Sequence, residues 1–584
     1  MMEHKIIDMK VNWIGLNPPI PSQTTSDSND CVEGKKLLNL LKSLEKSHKN
    51  SIDDRHEFDE LESKVLEILS GMESTFLRKG LLQQNVKKAQ EMENVMSSGA
   101  LMSQSNSTGG GKKRKRGGAS GSSGSISSIL NMESGNSSSE EAYILSNLCR
   151  VLIPQNAEES LMYPSGVIAA SAKVFFVICE YCRTHLSTVT SSVEHSMITS
   201  IATQIVNGMS KTTQKLLRAS SKIEKELENT NQALRYCCLS MSAVIILSNT
   251  RLSRSNAILE ATQKVAYDVL QHAGESDETS SLLDAASTLI ASIPLAGSST
   301  GTSPTQLWSN NFLMTVNELQ VTILAFFPIA RLVKRKKRSI ADKSGETLTW
   351  ISELRERTAS QTDRVTAFIV RLKGYVSVLK HLMKLDGYDI SQSTNGIMIP
   401  ITTILDCCEQ ILNFSSIAET KYLSTKSSLR DVSIEGGLLS PSAAVAIANS
   451  VKYLGHELFQ TVLSSLSNNS LQYGKQMLRI VQSTIESSSS YTLRKVIDPM
   501  SAVSKTSSKK WLHSSIHLRT RAVHSFMLLI QRLGSSVATS QTDVITKILA
   551  FIVGCLLEQI GSTDSFSENQ DSHWGTFQDR IELM

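Results

Sequence analysis

The chain has 584 residues, of which 40% are hydrophobic and only 5% are aromatic. This hydrophobic fraction excludes a fully disordered protein, and the length predicts two to four domains or one extended repeat array. Aromatic residues are scarce, and the counts of Gly (30) and Pro (11) are low for this length. Both features favour helices packed on helices over a β-sandwich, which uses more aromatic residues and more tight turns. A net charge of +5 does not by itself indicate a nucleic-acid-binding protein, because the placement of the basic residues matters more than their balance.

The cysteines and the apolar runs bear on the compartment. The nine cysteines show no disulfide framework and include two adjacent pairs, Cys237–Cys238 and Cys407–Cys408, which favours a reducing compartment. The two longest apolar runs, 321–333 and 544–557, are shorter or more polar than the roughly 18 apolar residues of a membrane span. The N-terminus has no apolar core of a secretory signal. We therefore expect an intracellular protein with no membrane segment.

Two different segments precede the main body. Residues 1–35 are polar and contain closely spaced prolines, which predicts a disordered head. Residues 36–98 are predicted to be helical, because apolar residues recur there every three or four positions. This stripe consists of Leu61, Val65, Ile68, Met72 and Phe76. A helix docked on the core is favoured over a coiled-coil seam, since fewer than about three heptads are present.

Residues 99–141 are rich in Gly and Ser, a composition that predicts a disordered linker. Inside it lies an uninterrupted basic run: Lys112, Lys113, Arg114, Lys115 and Arg116. Adjacent cations in an extended, accessible peptide suit the acidic groove of an importin, so the run is predicted to be a nuclear localisation signal. The alternative is a charge run that only increases solubility.

Residues 142–560 are predicted to form a helical body, followed by a polar tail at 561–584. Amphipathic segments alternate with Ser/Thr/Asn/Gly-rich interruptions, including 207–213 and 426–442, and Ser440-Pro441 resembles a helix start. Three stripes fit the helical period closely: Ile401, Ile404, Leu405, Cys408, Ile411 and Leu412; Ile447, Val451, Leu454, Leu458, Val462 and Leu466; and Val523, Phe526, Met527, Ile530 and Leu533. The predicted fold class is all-α, a degenerate HEAT/armadillo-like helical repeat solenoid without a fixed repeat period.

Two further groups of basic residues are candidate sites. The second basic cluster follows an apolar helix and comprises Lys334, Arg335, Lys336, Lys337 and Arg338. The cluster has three possible roles: it complements the helix dipole, it is a second nuclear signal, or it contacts nucleic acid. The other group, a possible RNA contact, comprises Lys509, Lys510, Arg519 and Arg521, near Trp511. A solvated helix surface is the alternative there.

The sequence lacks the motifs of common enzymes. It contains no phosphate loop, no dinucleotide fingerprint and no zincin helix. Cys179, Cys182 and His185 have the spacing of metal ligands, but no second ligand pair is near, and the apolar surroundings favour buried cysteines. We therefore expect a non-catalytic protein that holds no cofactor or metal.

Two segments within 350–540 carry a recognisable pattern: Ile399–Leu405 leads to Gln410–Leu412, and Arg519–Phe526 ends in a Gly-Ser turn after Leu533. The first segment resembles the "V-P-V-x-x-I-L" helix of the Rix/PELP-type ribosome-biogenesis scaffolds, the proline-, glutamate- and leucine-rich protein and its relatives. The second segment is similar to the "R-x-A-V-Y" helix of the same family. The N-terminal third shows no such similarity.

The resemblance implies a nuclear or nucleolar α-helical scaffold in large-subunit (pre-60S) maturation and rRNA processing. Its implied partners are a WD-repeat propeller protein and a second helical-repeat protein of a Rix-type complex, an AAA remodelling ATPase and the pre-ribosomal particle. A chromatin or meiotic-recombination scaffold is the alternative. An importin-like transport receptor is disfavoured, because such receptors rarely need a basic import signal of their own.

Overall fold

The computed structural model describes residues 30–49, 59–77, 140–153, 163–185, 193–220, 227–248, 252, 255–273, 280–296, 303–328, 360–384, 400–432, 437–465, 472–488 and 516–561. Within these ranges the chain is helical and has no β-strand, which confirms the predicted all-α class. Three predicted features lie outside the described residues: the head up to residue 29, both uninterrupted basic runs with nearly all of the Gly/Ser linker, and the tail after Gly561.

The described ranges contain eighteen α-helices, numbered in chain order. The first nine are α1 Asp30–Lys49, α2 at 59–77, α3 Glu140–Leu152, α4 Ser165–His185, α5 Val193–Ser200, α6 Ala202–Ser220, α7 Leu227–Ser248, α8 Asn256–Ala273 and α9 Ser280–Ser292. A 3-10 turn, Ile293–Ala296, follows α9. The others are α10 Pro304–Phe326, α11 Gln361–Met383, α12 Ile401–Leu412, α13 Phe414–Ser424, α14 Pro441–Ala446, α15 Ala448–Ser465, α16 Gly474–Ser488, α17 Ile516–Ser540 and α18 Thr542–Gly561.

The helices pack in two rows. The first row is α3, α6, α8, α10, α12, α16 and α18, and the second row is α4, α7, α9, α11, α15 and α17. Each second-row helix packs on the next one in its row and on the first-row helix that precedes it in the chain. Neighbours in the first row also pack on each other, except that α8 and α10 make little direct contact. The apolar side chains buried between the helices form one continuous cluster, from Leu37 to Phe551.

The capping residues of α14 were predicted correctly from the sequence, whereas the start of α1 was not predicted. The Ser440 side chain accepts a backbone hydrogen bond in the first turn of α14, and Pro441 is the first helical residue. The predicted continuous stripe at 447–466 begins at the boundary between α14 and α15, because Ile447 ends the first of these helices. α1 begins at Asp30, inside the predicted head, since the Ser-Asn-Asp sequence there is of the type that starts helices.

The predicted interruption at 207–213 is wrong, because α6 runs through it. Gly208 lies so close to α3 that a Cβ atom there would be 2.5 Å from Cγ2 of Ile153. The Thr212 hydroxyl donates a hydrogen bond to the carbonyl of Leu152 (2.9 Å). These small and polar residues let two helices approach closely and do not end α6.

The apolar stripe of α2 is docked on the core, as predicted. Val65, Met72 and Phe76 are buried, and the ring of Phe76 meets that of Tyr181 edge-on at 6.4 Å. α1 is held by Arg150 of α3, whose Nε and Nη2 donate to the Glu45 carboxylate at 2.9 Å each. A bidentate, partly buried pair of this kind fixes the orientation of α1 more than a surface pair does.

The stripes of α12 and α15 are buried as predicted, but the stripe of α17 is not. Ala522, Phe526 and Leu529 form the buried face of α17, whereas Met527 is 51% exposed. The buried face is rotated relative to the predicted stripe, because it also includes Ser525, which packs against polar side chains of α15. A hydrophobicity pattern assigns such a polar residue to the surface.

One described helix, α4, is long and apolar enough over Ser165–Arg183 to cross a membrane by length and composition alone. That window has a mean hydropathy of 1.5, and 61% of it is buried inside the fold. A central helix of a packed core passes the same test.

The C-terminal end of α10 is held by a segment that is distant in sequence. The backbone N–H groups of Leu438 and Leu439 donate to the Phe326 carbonyl at 3.1 and 2.8 Å. The segment approaches so closely that a Cβ atom on Gly437 would be 2.5 Å from Cδ of Pro328. Only glycine fits there without a shift of the chain.

Candidate interaction surfaces

The structure describes little of the predicted basic sites. Lys112–Arg116, Lys334–Arg338, Lys509 and Lys510 lie outside the described residues. Arg519 lies in the first turn of α17. The nuclear signals and the RNA contact therefore stay predictions.

Arg521 is the one predicted RNA-contact residue whose side chain the structure describes. Its guanidinium lies 4.8 Å from the centre of the Tyr453 ring, and Nη2 donates to the Tyr453 hydroxyl at 2.6 Å. Nη1 donates to Oε1 of Gln460 at 3.1 Å. This cation joins α17 to α15, so a phosphate would compete with partners that it already has.

Arg521 is the half-buried member of a polar seam between α15 and α17, whose other members, Lys452, His456, Gln460 and Ser525, are buried. The three α15 residues recur every four positions and therefore share one face of the helix. Gln460 Nε2 donates to the Arg521 carbonyl and to Ser525 Oγ, each at 3.1 Å. Polar residues at a helical period inside an apolar stripe are a signal that sequence reading missed.

The seam contains a serine and a histidine in contact, with His456 Nδ1 3.3 Å from Ser525 Oγ. The Ser525 hydroxyl donates to the Arg521 carbonyl at 2.9 Å, so its hydrogen is not directed at the imidazole. His456 Nδ1 is then the donor. In nucleophile activation the histidine accepts the hydroxyl proton instead. The contact therefore serves to hold α15 and α17 together.

His456 is held neutral by its surroundings. Burial, followed by the charges of Lys452 and Arg521, lowers the pKa of His456 to about 3. Nε2 has no hydrogen-bond partner among the described atoms. Protonation would place a third cation in a buried site that already holds two, which is unfavourable.

An apolar corner lies where α13 ends. It is formed by Leu423, Leu429 and Val432, which are 49%, 51% and 56% exposed. Leu423 lies at the end of α13, Leu429 in a 3-10 turn and Val432 after that turn, so they follow no single period that the sequence would reveal. The sequence predicted only an interruption here. Three large aliphatic side chains exposed within one short stretch of chain favour a protein-binding surface.

The corner is built on a fixed loop. The Arg430 guanidinium stacks on the Tyr422 ring at 4.4 Å, and its Nε donates to the carbonyls of Tyr422 and Thr425 at 3.1 and 3.2 Å. The Ser442 hydroxyl donates to Oδ1 of Asp431 at 2.6 Å. A loop held at several points presents its apolar side chains with little loss of conformational entropy on binding.

The predicted burial of Cys179 and Cys182 is confirmed, and both are free thiols. Burial raises the pKa of Cys179 well above its usual value, which leaves the thiol protonated and unreactive. No three His, Cys, Asp or Glu residues gather as metal ligands in the part of the chain that the structure describes.

Comparison of the chain with protein-family models, curated proteins and solved structures found no match.

Proposed function

We propose that this chain is a non-catalytic helical scaffold in the nucleus or nucleolus, acting in large ribosomal subunit maturation and rRNA processing. The scaffold part rests on one observation: the apolar corner of Leu423, Leu429 and Val432, exposed on a loop held by hydrogen bonds. A fixed apolar surface suits protein binding.

We further propose that the body is a degenerate HEAT/armadillo-like solenoid. The two-row packing supports this, since each helix packs mainly on neighbours along the chain. Such an array presents long surfaces to several proteins at once, because each repeat contacts only the next. A scaffold needs this property.

The nuclear and ribosomal part rests on the sequence. The basic run Lys112–Arg116 supports import through an importin, and the resemblance to Rix/PELP-type scaffolds supports the pre-ribosomal role. The proposed partners are those of the family: a WD-repeat propeller protein, a second helical-repeat protein, an AAA remodelling ATPase and the pre-ribosomal particle.

Affinity purification with quantitative mass spectrometry tests the scaffold and its setting together. The wild type should retrieve large-subunit precursors with the three proteins, and Leu429→Asp/Val432→Asp should lose at least one of them. Ser428→Asp is the matched control, since it adds a charge to the same loop without removing apolar surface. Equal retrieval by all three forms would refute the role of the apolar corner. Retrieval of chromatin proteins instead would replace the ribosomal role with the chromatin or meiotic-recombination scaffold.

The RNA contact has its own test. Charge reversal at Lys510 and Arg519 should weaken association with pre-ribosomal particles, most strongly at low salt, because phosphate contacts release counterions. Arg521 is left unchanged, since its loss would also break the contact between α15 and α17. Association that is equal at every salt concentration would refute the contact.

A further inference from the structure

A groove lies between α8 and α10, where the first row of helices is open. Its volume is about 340 Å³, and the turn Ile293–Ala296 contributes to its lining. The opening exists because α8 and α10 make little direct contact, unlike the other first-row neighbours. This volume lies at the lower end of the range for ligand sites in proteins.

The groove has a defined length. Residues 256–263 of α8 and 307–314 of α10 line it, which corresponds to about 10 Å along each helix axis. One turn further on, the Tyr267 hydroxyl lies beside Thr315 and Glu318, and its burial raises the pKa of Tyr267 above the usual range. A length of about 10 Å accommodates about three residues of extended chain.

The polar lining consists mainly of carboxamides, with Asn256 and Gln263 on one wall and Asn310 and Asn311 on the other. A carboxamide carries both a donor and an acceptor, the same pair that a peptide group presents. An extended chain has these groups free along its length, whereas in an α-helix they are free only at the ends. The lining therefore favours an extended peptide over a helix.

Asn311 shows that the hydrogen bonding of the groove is incomplete. Its side chain is only 8% exposed, and Nδ2 donates to the Ile290 carbonyl at 3.4 Å. Oδ1 has no partner among the described atoms. A buried carbonyl oxygen without a donor is unfavourable, so a ligand N–H that donates to Oδ1 would stabilise it.

Two exposed side chains on the groove define what else the ligand carries. Glu260 is exposed and has no ion-pair partner within the described ranges. Met314, on the opposite wall, is 40% exposed. A carboxylate selects a lysine or arginine, and a flexible thioether adapts to varied apolar side chains.

We propose that the groove between α8 and α10 binds an extended segment of a partner protein, with a lysine or arginine directed to Glu260 and an apolar side chain directed to Met314. The carboxamides bind the segment's main chain. This site is separate from the apolar corner, and it does not depend on the ribosomal role.

The test is selection of short random peptides displayed on phage against the purified full chain, followed by affinity measurement with synthetic copies. Selected peptides should share a basic and an apolar residue. Glu260→Lys should weaken their binding about fivefold or more, which is about 1 kcal/mol. Glu67→Lys, the same charge change at an exposed position of α2, should leave binding unchanged. Met314→Lys should also weaken binding, and circular dichroism checks that each variant is folded.

Three outcomes would overturn the proposal. The first is that no peptide is enriched, and the second is that enriched peptides bind Glu260→Lys as well as they bind the wild type. The third concerns the source of the segment. Peptides spanning Lys112–Arg116 and Lys334–Arg338 are included, and if either binds the groove more tightly than the selected peptides, the occupant is this chain and not a partner.

Discussion

Two glycines in helices should respond in opposite directions to the same substitution. Gly71 in α2 has no heavy atom within 4 Å of where a Cβ would lie, whereas at Gly208 in α6 three atoms of Ile153 lie 2.5–3.0 Å away. Alanine favours a helix over glycine by about 0.5–1 kcal/mol. Gly71→Ala should therefore stabilise α2 by about that amount.

Gly208→Ala gains the same helix propensity but adds a clash. The nearest atoms are Cγ2, Cγ1 and Cβ of Ile153, which belong to the stiff, branched base of the side chain and cannot rotate away cheaply. Overpacking of this kind costs about 1–3 kcal/mol. The net loss is about 1 kcal/mol, so the two variants should differ by about 2 kcal/mol, or about thirtyfold in an opening equilibrium.

Hydrogen exchange with mass spectrometry measures the effect locally, because each helix opens with its own free energy. Exchange should slow in α2 of Gly71→Ala and accelerate in α3 and α6 of Gly208→Ala. Adding Ile153→Ala to Gly208→Ala should cost less than the sum of the two single changes, by about 1 kcal/mol. A stabilised α6 in Gly208→Ala, or strict additivity in the double variant, would refute the close contact.

Three other predictions concern the core, the seam and import. Leu458→Ala should lower the free energy of unfolding by about 2–5 kcal/mol in urea, because Leu458 is fully buried, while Leu423→Ala at the exposed corner should have little effect; equal losses would contradict the burial. The pKa of His456 is about 3 in the fold against an ordinary 6.5, so the unfolded chain binds the proton first. Stability should then fall as pH drops from about 6.5 towards 3, by about 1.4 kcal/mol per pH unit, and this slope should be shallower in His456→Gln; an identical slope in both forms would refute the prediction. Replacing Lys112–Arg116 by alanine should leave the circular dichroism unchanged and move the protein to the cytoplasm; nuclear retention with Lys334–Arg338 also neutralised would show that these runs are not the signal.

Hydrophobic period alone predicted the all-α class and most buried faces, because helix packing depends first on where the apolar residues recur. The hydrophobic period failed where small or polar residues lie in the contacts between helices. Gly208 and Thr212 read as a break, although they bring α6 against α3. Ser525 is not part of the predicted apolar stripe, although it is buried and hydrogen-bonded to Gln460. Such roles depend on the facing helix, which one segment of sequence does not contain.

The candidate surfaces were harder to predict than the fold. The apolar corner unites residues from a helix end and a turn, and the groove unites α8 with α10, so neither has a contiguous pattern. The basic runs are easy to find because they are contiguous. The charge of Arg521 does not reveal that its side chain already has partners, because Tyr453 and Gln460 are more than 60 positions away in the chain.

The hydrogen bonds from Leu438 and Leu439 to Phe326 have a consequence for tolerance to insertion. They complete the C-terminal end of α10 without using the residues that directly follow it. Pro328 and Ser360, which flank residues 329–359, are therefore each held within the helical body. Doubling the length of a flexible connection costs only about 0.6 kcal/mol in closure entropy. A fluorescent domain or an affinity tag placed between these points should leave the helical body intact, which makes this position an internal labelling site.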